Sequence, residues 1–370
     1  MKKALAIALA SVMVLSLAAC GGSGSTSSTT AAAAAAETTA AAAAETTAAA
    51  AAEAPAAESS DEVVTLTLAH TRPDGSAEDL AVKAFCEEAK ELSGGTLEFE
   101  IYPASQLGDY TTVFERVMIG DVDMQCATVP TSVDKFFGLG NGAYIATTWP
   151  DAQATFASGT PVGNAMVERM EKIGVKYINM FPFYFGGIGL GVAPIDPTNP
   201  DAKNGIKIRV PSMTSFEKTA EELGYLGTPL PASEVFTSMQ TGVVEGFIGY
   251  GAEGAYSNIG DIVKYWLPIN DHFEVHTNVM NLDKFNSLSQ KQQEAIMTAG
   301  AHMEENRWKV APDETAVYEQ KMHDEFGTEI IEYTDEELAA FASKIRANVW
   351  PLIREDFGGE LFDQITEGKN

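Results

Sequence analysis

From Val63 onward the chain alternates between short runs of apolar period two and longer runs of helical period, and this alternation restricts the fold most. A strand is expected over 63–69, then a polar turn over 70–76. Apolar residues at helical spacing follow over 79–92 and stop at Ser93-Gly94-Gly95. A second strand is expected over 97–102, a helix over 111–119 ending at Gly120, and a third strand over 122–127. This order implies a mostly parallel sheet covered on both faces. The pattern recurs, with strands over 176–180, 206–210 and 243–248. The intervening helices are 215–223, with Phe216, Ala220 and Leu223 on one stripe, and 233–241, closed by Gly242. The strand at 273–280 would return to the first half of the fold. The last ninety residues read as helical: Ser289 can cap an amphipathic helix to about Phe326, and Thr334 with Glu337 makes a capping box.

The first sixty residues have a different character. Lys2 and Lys3 precede an apolar run from Ala4 to Leu17, and the small residues Ala18 and Ala19 precede Cys20, as in a secretory signal. The run is shorter than the ~20 apolar residues of a spanning helix. Leu17-Ala18-Ala19-Cys20 resembles a bacterial lipobox, in which the cysteine is acylated and becomes the new N-terminus; without acylation Cys20 would be a spare thiol. From Gly21 to about Ser60 the chain is Gly/Ser and then Ala/Thr/Glu repeats, interrupted by Thr38-Thr39 and Thr46-Thr47. Such a segment cannot bury enough apolar surface to offset its ordering entropy, and reads as a tether. About 310 residues remain, which suits two lobes better than one core.

A formal charge of −28 argues against nucleic acid as a partner. It also requires any anion site to be made locally positive. Of the three cysteines, Cys86 and Cys126 fall in apolar segments, where core thiols are more usual than a disulfide, although an exported chain permits one. With five histidines and no metal-ligand spacing, no metal or other cofactor is expected. Gly186-Gly187-Ile188-Gly189 lacks the lysine of a phosphate loop and reads as close backbone approach or a hinge. There is no G-x-S-x-G, H-E-x-x-H or S-x-x-K.

Two residues stand out as candidates. His70 ends a strand, where open α/β folds bind ligands, and serves binding, acid–base chemistry or a turn equally well. Arg209 lies in Gly205-Ile206-Lys207-Ile208-Arg209-Val210-Pro211 between apolar neighbours. A permanent cation there needs an anionic partner, and its planar fork suits a carboxylate. From the residues alone, a structural salt bridge is as good a reading as a ligand site.

Four stretches carry a family resemblance. Tyr102-Pro103-Ala104-Ser105-Gln106-Leu107-Gly108 resembles a "YPxSQLG" turn, and Gly120-Asp121-Val122-Asp123-Met124 a "G-x-[IVL]-D-[MF]" strand. Gly205–Pro211 resembles "GxKIRVP", and Gln240-Thr241-Gly242-Val243-Val244-Glu245-Gly246 resembles "QxGxVDG". Together and in this order they resemble the solute-binding subunits (DctP-like) of tripartite ATP-independent periplasmic (TRAP) transporters. The resemblance implies a two-lobed, periplasmic-binding-protein-like α/β fold with mixed sheets, a long lobe-spanning helix at 289–326 and a helical C-terminus. It also implies that Arg209 binds the carboxylate of a small organic anion, and that the closed protein delivers this anion to a TRAP permease.

The expected organisation is a signal over 1–19, a lipid-attached linker over 20–60 and a solute-binding domain over 61–370. One lobe covers about 61–180 with a returning segment 272–285, the other about 181–271, and the helical part 289–370. A monomer is expected, attached to the membrane through lipid on Cys20. Where many family members carry a second polar or basic residue, this chain has Phe181-Pro182-Phe183-Tyr184-Phe185-Gly186-Gly187; where many have "QENP", it has Gly249-Tyr250-Gly251-Ala252-Glu253. These departures suggest one carboxylate anchor with an aromatic wall, and a monocarboxylate rather than a small dicarboxylate. Phe183, Tyr184, Phe185, Tyr250 and Glu253 are therefore candidate contacts, though Phe183 and Phe185 equally suit the core. His70, Thr71, Thr128 and Trp149 join them from strand ends and a lobe crossing, while Asp109 suits a helix cap better than the site. The alternatives are a ligand-sensing subunit of a signalling system, or a secreted carboxylate-processing enzyme using His70 with Asp109.

Overall fold

The computed structural model describes residues 62–369. The signal, Cys20 and the linker lie outside the described residues. The first elements alternate as expected: β1 (Val64–His70), α1 (Ala77–Leu92), β2 (Leu97–Tyr102), α2 (Tyr110–Met118) and β3 (Met124–Ala127). A 3-10 segment (Lys135–Asn141), α3 (Trp149–Phe156) and α4 (Pro161–Lys172) lead into β4 (Val175–Leu190). The second half contains β5 (Lys207–Val210), α5 (Thr214–Glu222), β6 (Leu226–Pro229), α6 (Val235–Gln240), β7 (Gly246–Gly251), α7 (Ala252–Ile259) and β8 (Tyr265–Leu267). Then come β9 (Phe273–Asn281), α8 (Leu282–Ser287), α9 (Gln290–Phe326), β10 (Glu329–Ile330), α10 (Asp335–Ile353) and α11 (Gly359–Thr366).

Side-chain caps set many of these boundaries. Ser76 accepts from the Asp79 amide at the start of α1, and Asp109 from the Thr111 amide at 3.3 Å at the start of α2. Capping boxes at Ser289/Gln292 and Thr334/Glu337 open α9 and α10. Gly327, at φ 70°, closes α9 in the left-handed region.

Strand order is β2-β1-β3-β9-β4-β7-β5-β6. β1 runs parallel to β2 and β3, and β5 parallel to β6 and β7. Between these two parallel groups, β9 is antiparallel to both β3 and β4, and β4 is antiparallel to β7. The result is a mixed, two-lobed fold rather than the mostly parallel sheet that the βαβ order suggested. β4 is the reason. Its sixteen residues pair with β9 over the first part and with β7 and β8 over the last. The expected strand at 176–180 therefore continues through the aromatic and glycine-rich stretch into the second lobe. The glycines permit this by close approach: a Cβ on Gly187 would lie 2.6 Å from the Leu267 carbonyl, and one on Gly189 2.2 Å from the Phe247 ring.

The 37 residues of α9 extend about 55 Å at 1.5 Å per residue. At one end Gln292 donates to the carbonyls of Glu62 and Thr96 in the first lobe. In the middle, Glu304 accepts from the Met180 amide of β4 at 3.0 Å. Towards the other end Glu319 accepts from Trp266 of the second lobe at 3.1 Å. Cys86 and Cys126 are buried free thiols in the first-lobe core. Among the described residues no helix is long and apolar enough to cross a membrane.

Candidate functional site

The C-terminal ends of β1, β3, β5 and β7 converge on one cavity between the lobes, as expected of open α/β sheets. Thr71 and Arg72 follow β1, Thr128 follows β3, Arg209 lies in β5 and Tyr250 in β7. Tyr110 of α2 and Phe216 of α5 contribute aromatic edges, and Glu274 and His276 of β9 close the opposite wall.

Arg209 is 2 % exposed. Its Nε–H donates to the Leu230 carbonyl at 2.9 Å and Nη1–H to the Ile248 carbonyl at 3.4 Å. Both partners are neutral. No carboxylate of the described residues lies within 4 Å of its nitrogens, and its guanidinium carbon sits 5.6 Å from the Tyr250 ring centre. Burial pulls its affinity for the proton down, and Tyr250, Tyr110 and Asp109 only partly offset this. A buried cation held by carbonyl dipoles alone is an expensive arrangement unless an anion completes it.

Arg72 is the contrast. It is equally buried, but donates through Nη2 to Glu274, and its Nε lies 3.4 Å from a Glu253 carboxylate oxygen. The guanidinium also covers the rings of Phe183 and Tyr250, at 5.0 and 4.9 Å. Burial works against its charge, but Glu274 and Glu253 more than compensate and raise its pKa. Glu274 in turn accepts from the Gly251 amide at 2.9 Å, and Glu253 from the Ser257 hydroxyl at 2.7 Å. Of the two cations facing the cavity, Arg72 is neutralised and Arg209 is not.

The profile of the bacterial extracellular solute-binding proteins, family 7 (DctP), matches residues 68–355. The chain belongs to this family. A curated relative, the C4-dicarboxylate-binding periplasmic protein DctP of Rhodobacter capsulatus, is 24% identical over 306 residues, spanning 82% of this chain and 90% of its own. Among solved structures, the sugar acid binding protein of Advenella mimigardefordensis in complex with galactonate superposes with a TM-score of 0.76 at 19% identity, covering 83% of this chain and 98% of that one. A TRAP periplasmic solute-binding protein of Roseobacter denitrificans with bound L-galactonate gives a TM-score of 0.70 at 24% identity, over 82% and 99% of the two chains.

In this solute-binding protein, Arg209, Thr71, Thr128 and Tyr250 all line the cavity. Other expected residues lie outside its lining. His70 sits behind it, with Nε2 at 3.2 Å from Asp79 and Nδ1 at 3.5 Å from Glu78, both of α1. It does not pair with Asp109, which caps α2 as expected, so the His70/Asp109 couple of the enzyme alternative is not assembled. Glu253 reaches the site only through Arg72. The aromatic stretch of β4 is core because the strand is covered on both faces. Phe183 packs on Phe181 at 4.7 Å, and the Tyr184 hydroxyl donates to Glu314 of α9 at 2.6 Å. Phe185 and Trp149 meet at 5.7 Å in a cluster with Phe273. The cavity's aromatic wall comes instead from Tyr110, Phe216 and Tyr250.

Arg72, Tyr110, Phe216, Glu274 and His276 were not singled out from the sequence. Two signals were present. Arg72 is a cation just past a strand end, and Glu274 and His276 alternate with the apolar Phe273 and Val275 at the start of an expected strand. His276 is anchored behind the wall, its Nδ1 2.6 Å from Glu78. That contact and the His70 pair hold the Glu78 carboxyl well below the usual range, although burial alone would raise it. Among the described residues no group of three acidic, His or Cys side chains could hold a metal ion.

Proposed function

We propose that the protein captures a small organic acid outside the cytoplasm by its carboxylate and passes it to the membrane subunits of a TRAP permease. The observation that carries this reading is Arg209, a buried guanidinium on a cavity wall with only carbonyl partners. A ligand carboxylate entering opposite its free edge would supply the missing negative charge and form charge-assisted hydrogen bonds. Thr71, Thr128 and Tyr110 offer hydroxyls beside it, and Phe216 and Tyr250 offer apolar faces for the body of the ligand. Relatives described as binding C4-dicarboxylates and galactonate favour an acid. One uncompensated cation favours a monoanionic head over two.

Capture proceeds by closure. Arg209 and Tyr250 belong to the second lobe, Thr71 and Thr128 to the first, so a ligand touching both sets stabilises the closed arrangement. The closed form, with α9 tied to both lobes, is the one the permease recognises. The protein acts as a monomeric receptor, makes no bond in its ligand, and is held at the membrane by lipid on Cys20. A thermal-shift screen across mono- and dicarboxylates, keto acids and sugar acids tests the reading. At least one acid should stabilise the wild type, and Arg209→Ala should weaken its affinity tenfold or more, about 1.4 kcal/mol. Unchanged affinity would sink the anchor.

A further inference from the structure

Tyr250 stands on the wrong side of its strand for a regular alternation. In β7, Phe247 and Tyr250 are three positions apart, an odd spacing that sends side chains to opposite faces. Yet their rings lie 5.5 Å apart in one cluster, whereas Ile248 belongs to a different part of the core. The cause is a β-bulge. β4 pairs Gly187 with Tyr250 and Ile188 with Ile248, so Gly249 has no partner and the alternation slips by one residue. Phe247 is itself paired with Arg209 of β5, so the slip brings the Tyr250 ring onto the face of Arg209.

Glycine alone fits this bulge. Its φ is 103°, a conformation that side chains rarely adopt. A Cβ there would lie 2.6 and 3.0 Å from Cγ and Cδ of Pro211, and 3.4 Å from Arg209 Nη1. Pro211 follows Arg209 by two residues and its ring cannot fold away, so the strain would pass to the guanidinium. The Ile248 carbonyl, which accepts from Nη1 at 3.4 Å, is the group just before the bulge. Just after it, Tyr250 places its ring 5.6 Å from the Arg209 guanidinium carbon and 4.9 Å from that of Arg72. The Tyr250 hydroxyl is fixed by donating to the Ala232 carbonyl at 3.2 Å. Arg209, Pro211, Gly249 and Tyr250 all line the cavity.

We propose that Gly249 is a positioning residue of the binding site: its bulge aims Arg209 and carries Tyr250 to the ligand's side, and a side chain there weakens binding by displacing the guanidinium. This rests on Arg209 being the carboxylate anchor.

Calorimetric titration with pyruvate, succinate and D-galactonate tests this, each variant being read with whichever of the three the wild type binds most tightly. Gly249→Ala should weaken that acid at least tenfold. Gly242→Ala brings similar backbone strain, at φ 72°, but its Cβ would meet nothing within 4 Å, and it should bind within about twofold of the wild type. In an Arg209→Lys background, which lacks the fork, Gly249→Ala should cost roughly threefold at most, since little is left to misdirect. If Gly249→Ala does not fold, the comparison moves to Pro211→Ala, where the obstructing ring is gone. Adding Gly249→Ala there should still cost at least threefold, through the contact with Nη1. No loss of affinity on adding Gly249→Ala, or a tenfold loss that persists with Arg209→Lys, would overturn the positioning role and leave the anchor standing. Equal binding by Arg209→Ala and the wild type, or no binding of the three acids by the wild type, would overturn the anchor and the role of Gly249 with it.

Discussion

The Arg209 Nε–H donates to the Leu230 carbonyl at 2.9 Å, so the guanidinium is oriented by a neutral acceptor with no carboxylate to neutralise it. Leu230 follows β6, the strand paired in parallel with β5, and the contact is therefore set by the register of that pair. The same fork, steered by Leu230 and by the Ile248 carbonyl on Nη1, leaves Nη2 for the ligand.

Arg209→Lys separates charge from geometry. Lysine keeps the positive charge but cannot bond Leu230 through one nitrogen while gripping a carboxylate with others. Affinity for the acid that best stabilises the wild type should fall about tenfold, near 1.4 kcal/mol, as read by calorimetry. Equal affinity would mean that charge alone suffices.

Glu78 links the site to acid stability. Burial opposes its ionisation, but His276 and His70 outweigh this, so its folded pKa lies well below the ordinary 4.5. A depressed carboxyl contributes stability that is complete above the unfolded value and is lost as pH falls from about 4.5 towards the folded value. Glu78→Gln should lower stability at pH 7 and flatten the decline below 4.5. Denaturant melts at several pH values would show it, and parallel acid limbs for the two proteins would count against the linkage.

Gly186 tests the close approach that lets β4 pass between the lobes. A Cβ there would lie 2.1 Å from the His272 ring, which is pinned by Asp271 at 2.7 Å and cannot yield. Gly186→Ala should cost roughly 1–3 kcal/mol, as overpacking does. Gly191→Ala, whose Cβ would meet its neighbours at an ordinary 3.5 Å, should be much milder. Similar melting temperatures for the two variants would argue that the strand has room to shift.

Cys20→Ser addresses the tether. The wild type should fractionate with membranes and the variant should be released. A variant that stays membrane-bound would point to attachment by something other than lipid at that residue.

Reading the fold from the chain worked where the signal was local. The Asp109, Ser289 and Thr334 caps, and the β1 to β3 alternation, depend on residues a few positions apart, and a short window contains them. β4 was cut short because glycines and aromatics in succession have no clear period. Only the covering of both faces by other elements makes that run a strand. For the site, the strand-end rule nominated Thr71 and Thr128, which line the cavity, and also His70 and Trp149, which do not; Arg209 was nominated by its place in an apolar strand and by the family resemblance, and Tyr250 by a departure from the family pattern. The Phe183–Phe185 rings were nominated by the same kind of departure, and their burial could not be read from their own sequence.

Residue type and spacing were enough to establish a permanent cation at Arg209 inside an apolar strand, while Arg72, a cation just past the end of β1, was passed over. Which of them is neutralised was decided by tertiary contact alone. Arg72 meets Glu274 across 202 positions of chain, and Arg209 meets no carboxylate among the described residues. Neutralising a buried guanidinium takes a carboxylate in direct contact, so it depends on which strands lie side by side rather than on which residues are neighbours in sequence.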